Sequence, residues 1–219
     1  MNCGGQAIAA IKLSSGEELW GQAYPRHGLL GQPAIRGDSI YIAARSGSIL
    51  KLSQANGNTE DVFVVSKSEI LFQGTLVGSR MYVIDVRNAI HAFDVERMRR
   101  AWTRNASQPP SAPVTAGSDH VVVPLKNRAV LGLNAKGEKL WQRAVGRPIV
   151  THGILFKNTY ISGTTDGHIV CLDVNSGSLV WKYRIRQSGQ TGFVVPGTVD
   201  KGQLFLGSQD GVFYCLPLD

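Results

Sequence analysis

Cysteine is scarce in this chain. Cys3, Cys171 and Cys215 are too few and too far apart in sequence for a disulfide framework or a metal-binding pair. Long apolar runs are missing as well: none approaches the roughly 18 residues of a membrane-spanning helix. At the N-terminus no basic region leads into an apolar stretch, and none precedes Cys3, so neither a secretory nor a lipoprotein leader is written in the sequence as it stands. Helical periodicity is absent. Apolar residues alternate or run in fours and fives, never at i, i+3 and i+4 over three turns.

Catalytic and metal signatures are equally sparse. His27, His91, His120, His152 and His168 show no i, i+2 or i, i+4 pairing, so the zinc spacing is not there. No G-x-S-x-G elbow occurs. Gly132 to Lys139 (GLNAKGEK) has a glycine-rich look, but Glu138 stands where a phosphate loop needs lysine, and a strand rather than a helix follows. Asn105-Ala-Ser107 is an isolated sequon. The expectation is no catalytic residue, no metal and no cofactor.

What the chain does have is a repeat. It is 43% hydrophobic over 219 residues, enough to bury a core. The segments Ala7 to Trp20, Ser48 to Asp61, Ala89 to Trp102, Ala129 to Trp141 and His168 to Trp181 align, and Val212 to Asp219 begins another copy. Their turn positions, Gly16, Gly57, Met98, Gly137 and Gly177, recur about every 40 residues. Before each later copy lies a strand ending in a tight turn: Ser39 to Ala44, Arg80 to Asp85, His120 to Leu125, Thr159 to Gly163 and Gln203 to Gly207. A further short strand precedes each of these, entered near Pro33, Gly74, Pro113, Pro148 and Pro196. Four antiparallel strands per unit, repeated at this period, predict an all-β chain folded as a β-propeller, with residues 1–219 as a single domain.

The segment Cys171-Leu-Asp173-Val-Asn-Ser176-Gly177-Ser-Leu-Val-Trp181 resembles the PQQ-type, or quinoprotein-like, propeller repeat, whose pattern is close to A-x-D-x-x-T-G-x-x-x-W. Ala10 to Trp20 matches at Ala10, Gly16 and Trp20. Ala92 to Trp102 matches at Ala92, Asp94 and Trp102, with Met98 where glycine belongs. The copy ending at Trp141 is one residue short, and the copy around Gly57 carries Asp61 in place of tryptophan. The resemblance covers nearly the whole chain. It implies that Trp20, Trp102, Trp141 and Trp181 dock one blade on the next. Gly16, Gly137 and Gly177 would take positive φ in the turns, and Asp94 and Asp173 would hold the turn amides.

The family includes quinoprotein alcohol dehydrogenases, the BamB-type outer-membrane barrel-assembly lipoproteins and the C-terminal propeller of β-alanine-activating enzymes. Its members usually have seven or eight blades and are often periplasmic; with no leader written, cytoplasm is the default for this chain. If the strand from Leu19 to Tyr24 completed the last blade, five blades would result and Ala7 to Leu13 would be left over. The leftover strand suggests a chain missing two or three N-terminal blades; a five-bladed ring with an extra strand is the alternative. An open arc would self-associate. Quinoprotein dehydrogenases use a catalytic aspartate, a calcium site and, in some, a vicinal disulfide. This chain lacks the Cys-Cys pair, and its acids fall in turns. Cys171 and Cys215 are expected as small buried residues.

The net charge is +7, which permits an acidic partner without requiring one. Arg104, Arg143, Lys182, Arg184 and Arg186 lie on the segments after the tryptophans. In strand alternation, Trp181, Tyr183 and Ile185 share one face and the cations the other. Such cations protect exposed strand edges; a second reading makes them a rim for an anionic surface or acidic partner. Nucleic acid is disfavoured, because the interleaved aromatics belong to the buried face. The function expected is a non-catalytic scaffold binding a protein or peptide, BamB-like or a module of a larger protein. A fragment of a PQQ-dependent dehydrogenase is the alternative.

Overall fold

The computed structural model describes residues 7–184, 197–208 and 211–218. Every regular element among them is a strand. The chain divides into two compact units, Met1–Asn105 and Ala106–Asp219.

In the first unit, β1 (Ala7–Ile11) and β2 (Glu18–Ala23) form an antiparallel ribbon. A four-stranded sheet follows, made of β3 (Leu29–Arg36), β4 (Ser39–Ala44), β5 (Ser48–Ser53) and β6 (Thr59–Val64) in that order. The next has β7 (Thr75–Val77), β8 (Arg80–Ile84), β9 (Ala89–Asp94) and β10 (Arg99–Asn105). The second unit repeats the pattern with β11 (Thr115–Ala116), β12 (His120–Leu125), β13 (Ala129–Asn134) and β14 (Lys139–Ala144). Then come β15 (Ile154–Phe156), β16 (Thr159–Gly163), β17 (His168–Asp173) and β18 (Leu179–Arg184), and a three-stranded sheet of β19 (Thr198–Asp200), β20 (Gln203–Gly207) and β21 (Phe213–Pro217). Each four-stranded sheet is an antiparallel meander, the blade of a β-propeller.

The second and third strands of each blade are buried on both faces. β4, β5, β8, β9, β12 and β13 are almost wholly inaccessible, whereas the outer strands β6, β10, β14 and β18 are largely exposed. The core therefore sits between neighbouring sheets. Ile8, Tyr24, Ile42 and Leu50 join the β1–β2 ribbon to the next sheet. Tyr41, Phe63, Met81 and Phe93 join the two blades of the first unit. In the second unit, Val122, Trp141, Tyr160 and Val170 form one such seam, and Ile161, Ile169, Leu204 and Leu206 the next.

Two expectations are corrected here. The strand near Leu19 to Tyr24 is taken up by its neighbour in sequence: β2 pairs with β1, with Ala10 opposite Trp20. The reason is local. Lys12 N–H donates to Glu17 C=O at 2.7 Å and Gly16 N–H to Lys12 C=O at 2.8 Å, closing a short hairpin at little entropic cost. Ala7 to Ile11 is thus a paired strand rather than a leftover. The second correction concerns Cys215, which is exposed while Cys171 is buried. The two occupy the same position of neighbouring sheets, but Cys171 is flanked by β18 and Cys215 has no outer strand beside it among the described residues.

Candidate functional site

The repeated residues meet in a fixed geometry. In every hairpin between the third and outer strands, the residue opposite the tryptophan position is Ala10, Lys51, Ala92, Gly132 or Cys171. Beside each of these pairs the register slips, a bulge repeated in all five hairpins. Trp141 is buried, and its indole N–H donates to Val174 C=O at 2.7 Å in the next sheet. Its ring lies on Gly177, where a Cβ would stand 2.5 Å from Cδ2 and Cε3. Trp20 repeats this arrangement: its N–H reaches Gln54 C=O at 3.0 Å and its ring lies on Gly57. Trp102 packs against Tyr82, with ring centroids 5.9 Å apart. Trp181 packs at the edge of the seam with Leu204 and Leu206.

The turn residues behave as a set. Gly16, Gly57, Gly137 and Gly177 have φ between 68° and 82°, and Met98 takes the same left-handed turn at φ 54° without being glycine. Asp173 accepts N–H bonds from Asn175 and Ser176 and a hydroxyl from Ser176, and these bonds hold its carboxyl below the usual range. Burial works to raise the Asp94 carboxyl, but bonds from Arg97 and the Glu96 amide outweigh it and the net shift is downward. These carboxylates are engaged within their own turns. Among the described residues no group of three His, Cys, Asp or Glu side chains could hold a metal ion.

Where the second copy has Asp61 instead of tryptophan, the seam is filled differently. Phe63 and Phe93 pack with centroids 5.2 Å apart, and Arg100 Nη2 donates to Val65 C=O at 2.7 Å.

The cations of the outer strands differ in their surroundings. Arg143 Nε donates to Gly177 C=O at 3.0 Å, so its guanidinium is committed to the next turn. Arg104 lies on β10, and Arg184 pairs in register with His168. Lys182 lines a groove with Trp181, Tyr183, Leu216 and Leu218. Arg186 lies outside the described residues. Tyr183 is 46% exposed, which corrects its placement on a buried face: among the described residues β21 has no outer strand beside it to cover that part of β18.

Two features escaped the sequence reading. One is a buried polar cluster in the β7–β10 blade. Asp85 accepts from Ser66 Oγ at 2.8 Å and stands 3.0 Å from His91 Nε2, whose Nδ1 faces Thr103 Oγ1 at 3.0 Å. The equivalents of His91 in the other complete blades are the apolar Leu50, Leu131 and Val170. Burial works to raise the Asp85 carboxyl; hydrogen bonds from His91, the Ala89 amide and Ser66 hold it below its usual value. The other is a cleft lined by Arg26, His27, Arg45, Lys67 and Glu69. Its residues come from three separate segments, so no local motif announces it.

The comparisons with known proteins agree with this architecture. The chain is 23% identical over 194 residues to the outer membrane protein assembly factor BamB of Salmonella typhimurium, covering 85% of this chain and 47% of that protein. The Pseudomonas aeruginosa protein of the same name is 27% identical over 171 residues, covering 73% of this chain and 44% of its own length. The chain thus spans about half the length of these curated relatives. Among solved structures, BamB from Moraxella catarrhalis aligns with a TM-score of 0.64 at 16% identity, over 97% of this chain and 77% of that one. The computationally designed Ika8 protein aligns with a TM-score of 0.81 at 15% identity, over 98% and 66%. These likenesses establish the fold. A family profile described as outer membrane protein assembly factor BamB matches residues 4–216, and the chain belongs to that family.

Proposed function

We propose that this chain is a non-catalytic propeller scaffold that holds a protein partner in outer-membrane protein assembly. The observation that carries the reading is the family match along residues 4–216. The chemistry of the described residues is in keeping with it, since the carboxylates of Asp94 and Asp173 are occupied by their own turns. In this reading residues 1–219 form one propeller domain. Trp20, Trp102, Trp141 and Trp181 hold blade to blade, and Gly16, Gly137, Gly177, Asp94 and Asp173 shape the turns beside them. Arg104, Arg143, Lys182, Arg184 and Arg186 are secondary, edge-protecting cations. Recognition then belongs to the loops at the blade ends, which differ from copy to copy.

The test is affinity purification of the tagged chain, produced in the bacterium that encodes it, with identification of what is retained. Retention of the outer-membrane assembly machinery is the expected result. A folded chain that retains none of its components overturns the reading. Calorimetry of the purified chain tests the one-domain reading, which expects a single cooperative transition.

A further inference from the structure

We infer that the cleft formed by Arg26, His27, Arg45 and Lys67 is a docking pocket for an acidic side chain of the protein partner. This rests on the scaffold reading above and names the surface and the chemistry it would use.

The cleft lies where three loops are bonded together. The turn between β4 and β5 is held on one side by the segment leading into β3: Arg45 N–H donates to Gly28 C=O at 2.8 Å and Ser46 N–H to His27 C=O at 3.1 Å. On the other side it is held by the segment after β6. Val65 and Ser66 N–H both donate to Gly47 C=O at 3.0 Å, and Ile70 N–H to Arg45 C=O at 3.3 Å. Gly47 has no room for a side chain, since a Cβ would stand 2.3 Å from Ser66 C=O. Each of the three bonded segments contributes one cation: Arg26, Arg45 and Lys67. The backbone bonds thus fix the roots of three cationic side chains around an open depression of about 310 Å³.

Charge balance at the cleft is incomplete. Glu69 is the one acidic residue in its lining, and it meets Arg45 at 3.8 Å with both side chains about 60% exposed. A pair so long and so wet is held weakly. Arg26 and Lys67 make no ion pair with a carboxylate among the described residues. His27 Nδ1 is buried with no hydrogen-bond partner. Glu69 shows that a carboxylate fits beside Arg45, and an incoming carboxylate would add contacts to Arg26 and Lys67.

The size and shape select among anionic partners. The depression is small beside a layer of lipid headgroups, and its three cations come from three adjoining loops. No Phe, Tyr or Trp lines it, so a run of stacked bases finds no platform of large rings there. A Glu or Asp on a partner loop matches the charge and fits within the depression. Contacts of this kind govern association rate and specificity more than total affinity.

The experiment titrates the full chain with a fluorescein-labelled octaglutamate peptide, read by anisotropy at low and moderate salt. Charge reversal by Arg45→Glu with Lys67→Glu should weaken binding at least tenfold. Lys182→Glu with Arg184→Glu, on β18, should change it less than twofold. Glu69→Gln removes the resident carboxylate and should tighten binding severalfold, a gain that misfolding cannot produce. Equal weakening by both reversals, or no gain from Glu69→Gln, overturns the proposal. So does a chain that ignores the peptide but sediments with phosphatidylglycerol vesicles through Arg45 and Lys67, which would make a lipid the occupant. A chain that retains the assembly machinery equally well with and without the Arg45 and Lys67 reversals refutes the cleft while leaving the scaffold reading standing.

Discussion

The indole of Trp141 packs on Gly177 in the turn between β17 and β18, and its N–H is bonded to Val174 C=O at 2.7 Å. The same glycine therefore does two things at once. Its φ of 68° closes the turn, and its missing side chain leaves room for the ring. Gly16 has the same turn and φ 73°, but nothing stands within 4 Å of where its Cβ would be.

That contrast separates two physical costs. Gly16→Ala should cost only the left-handed strain, about 1 kcal/mol. Gly177→Ala should add overpacking against Trp141, for a total of about 3 kcal/mol. Urea denaturation of the two variants measures the difference; equal losses would contradict the docking role of the Trp141 ring.

Trp141→Phe keeps an aromatic face but leaves Val174 C=O without its donor. A loss of about 1–2 kcal/mol is expected. Trp141→Ala also leaves a cavity in the seam and should cost about 3–5 kcal/mol. The same urea series reads both, and a Phe variant as damaged as the Ala variant would show that the hydrogen bond, not the packing, dominates.

The buried Asp85 gives the blade a dependence on acid. Its folded carboxyl titrates below the unfolded one, so the stability it contributes is present above the unfolded value and lost as the pH falls through the folded one. The window lies below about pH 4. Asp85→Asn should lose about 2 kcal/mol near neutrality and flatten the acid limb of the stability profile. Denaturant midpoints across pH 3–7 test this; parallel profiles for the two proteins would rule out Asp85 as the titrating group.

The two blade cysteines should react differently with a thiol reagent. In a Cys3→Ser background, exposed Cys215 should label readily in the native protein. Cys171 is buried and its thiol is pushed up by that burial, so it should label only on unfolding. Equal labelling in the native state would show that β17 is not covered as described.

The architecture was legible because its signals are local and repeated. Strands β4, β12, β16 and β20 fall on the segments expected from alternation and turn residues, Ser39–Ala44, His120–Leu125, Thr159–Gly163 and Gln203–Gly207. Pairing at the chain's first strands was not legible, because β2 suits either β1 or a last blade, and only the Lys12–Glu17 turn decides between them. Phe63 against Phe93 could not be read as the stand-in for a missing tryptophan, since the two lie on different blades. No sequence pattern joins Asp85 to His91; their burial follows from the seam around them. The cleft cations Arg26, Arg45 and Lys67 come together only through backbone bonds between three loops, for which the sequence carries no pattern.

A scaffold for a protein partner, as proposed for this chain, must bind that partner saturably. The most direct measurement is a titration of the folded chain against the purified outer-membrane assembly machinery of the same bacterium by biolayer interferometry. Saturable binding with a defined stoichiometry is the predicted result. No binding at tens of micromolar, with the chain shown folded by its cooperative unfolding, would contradict the account.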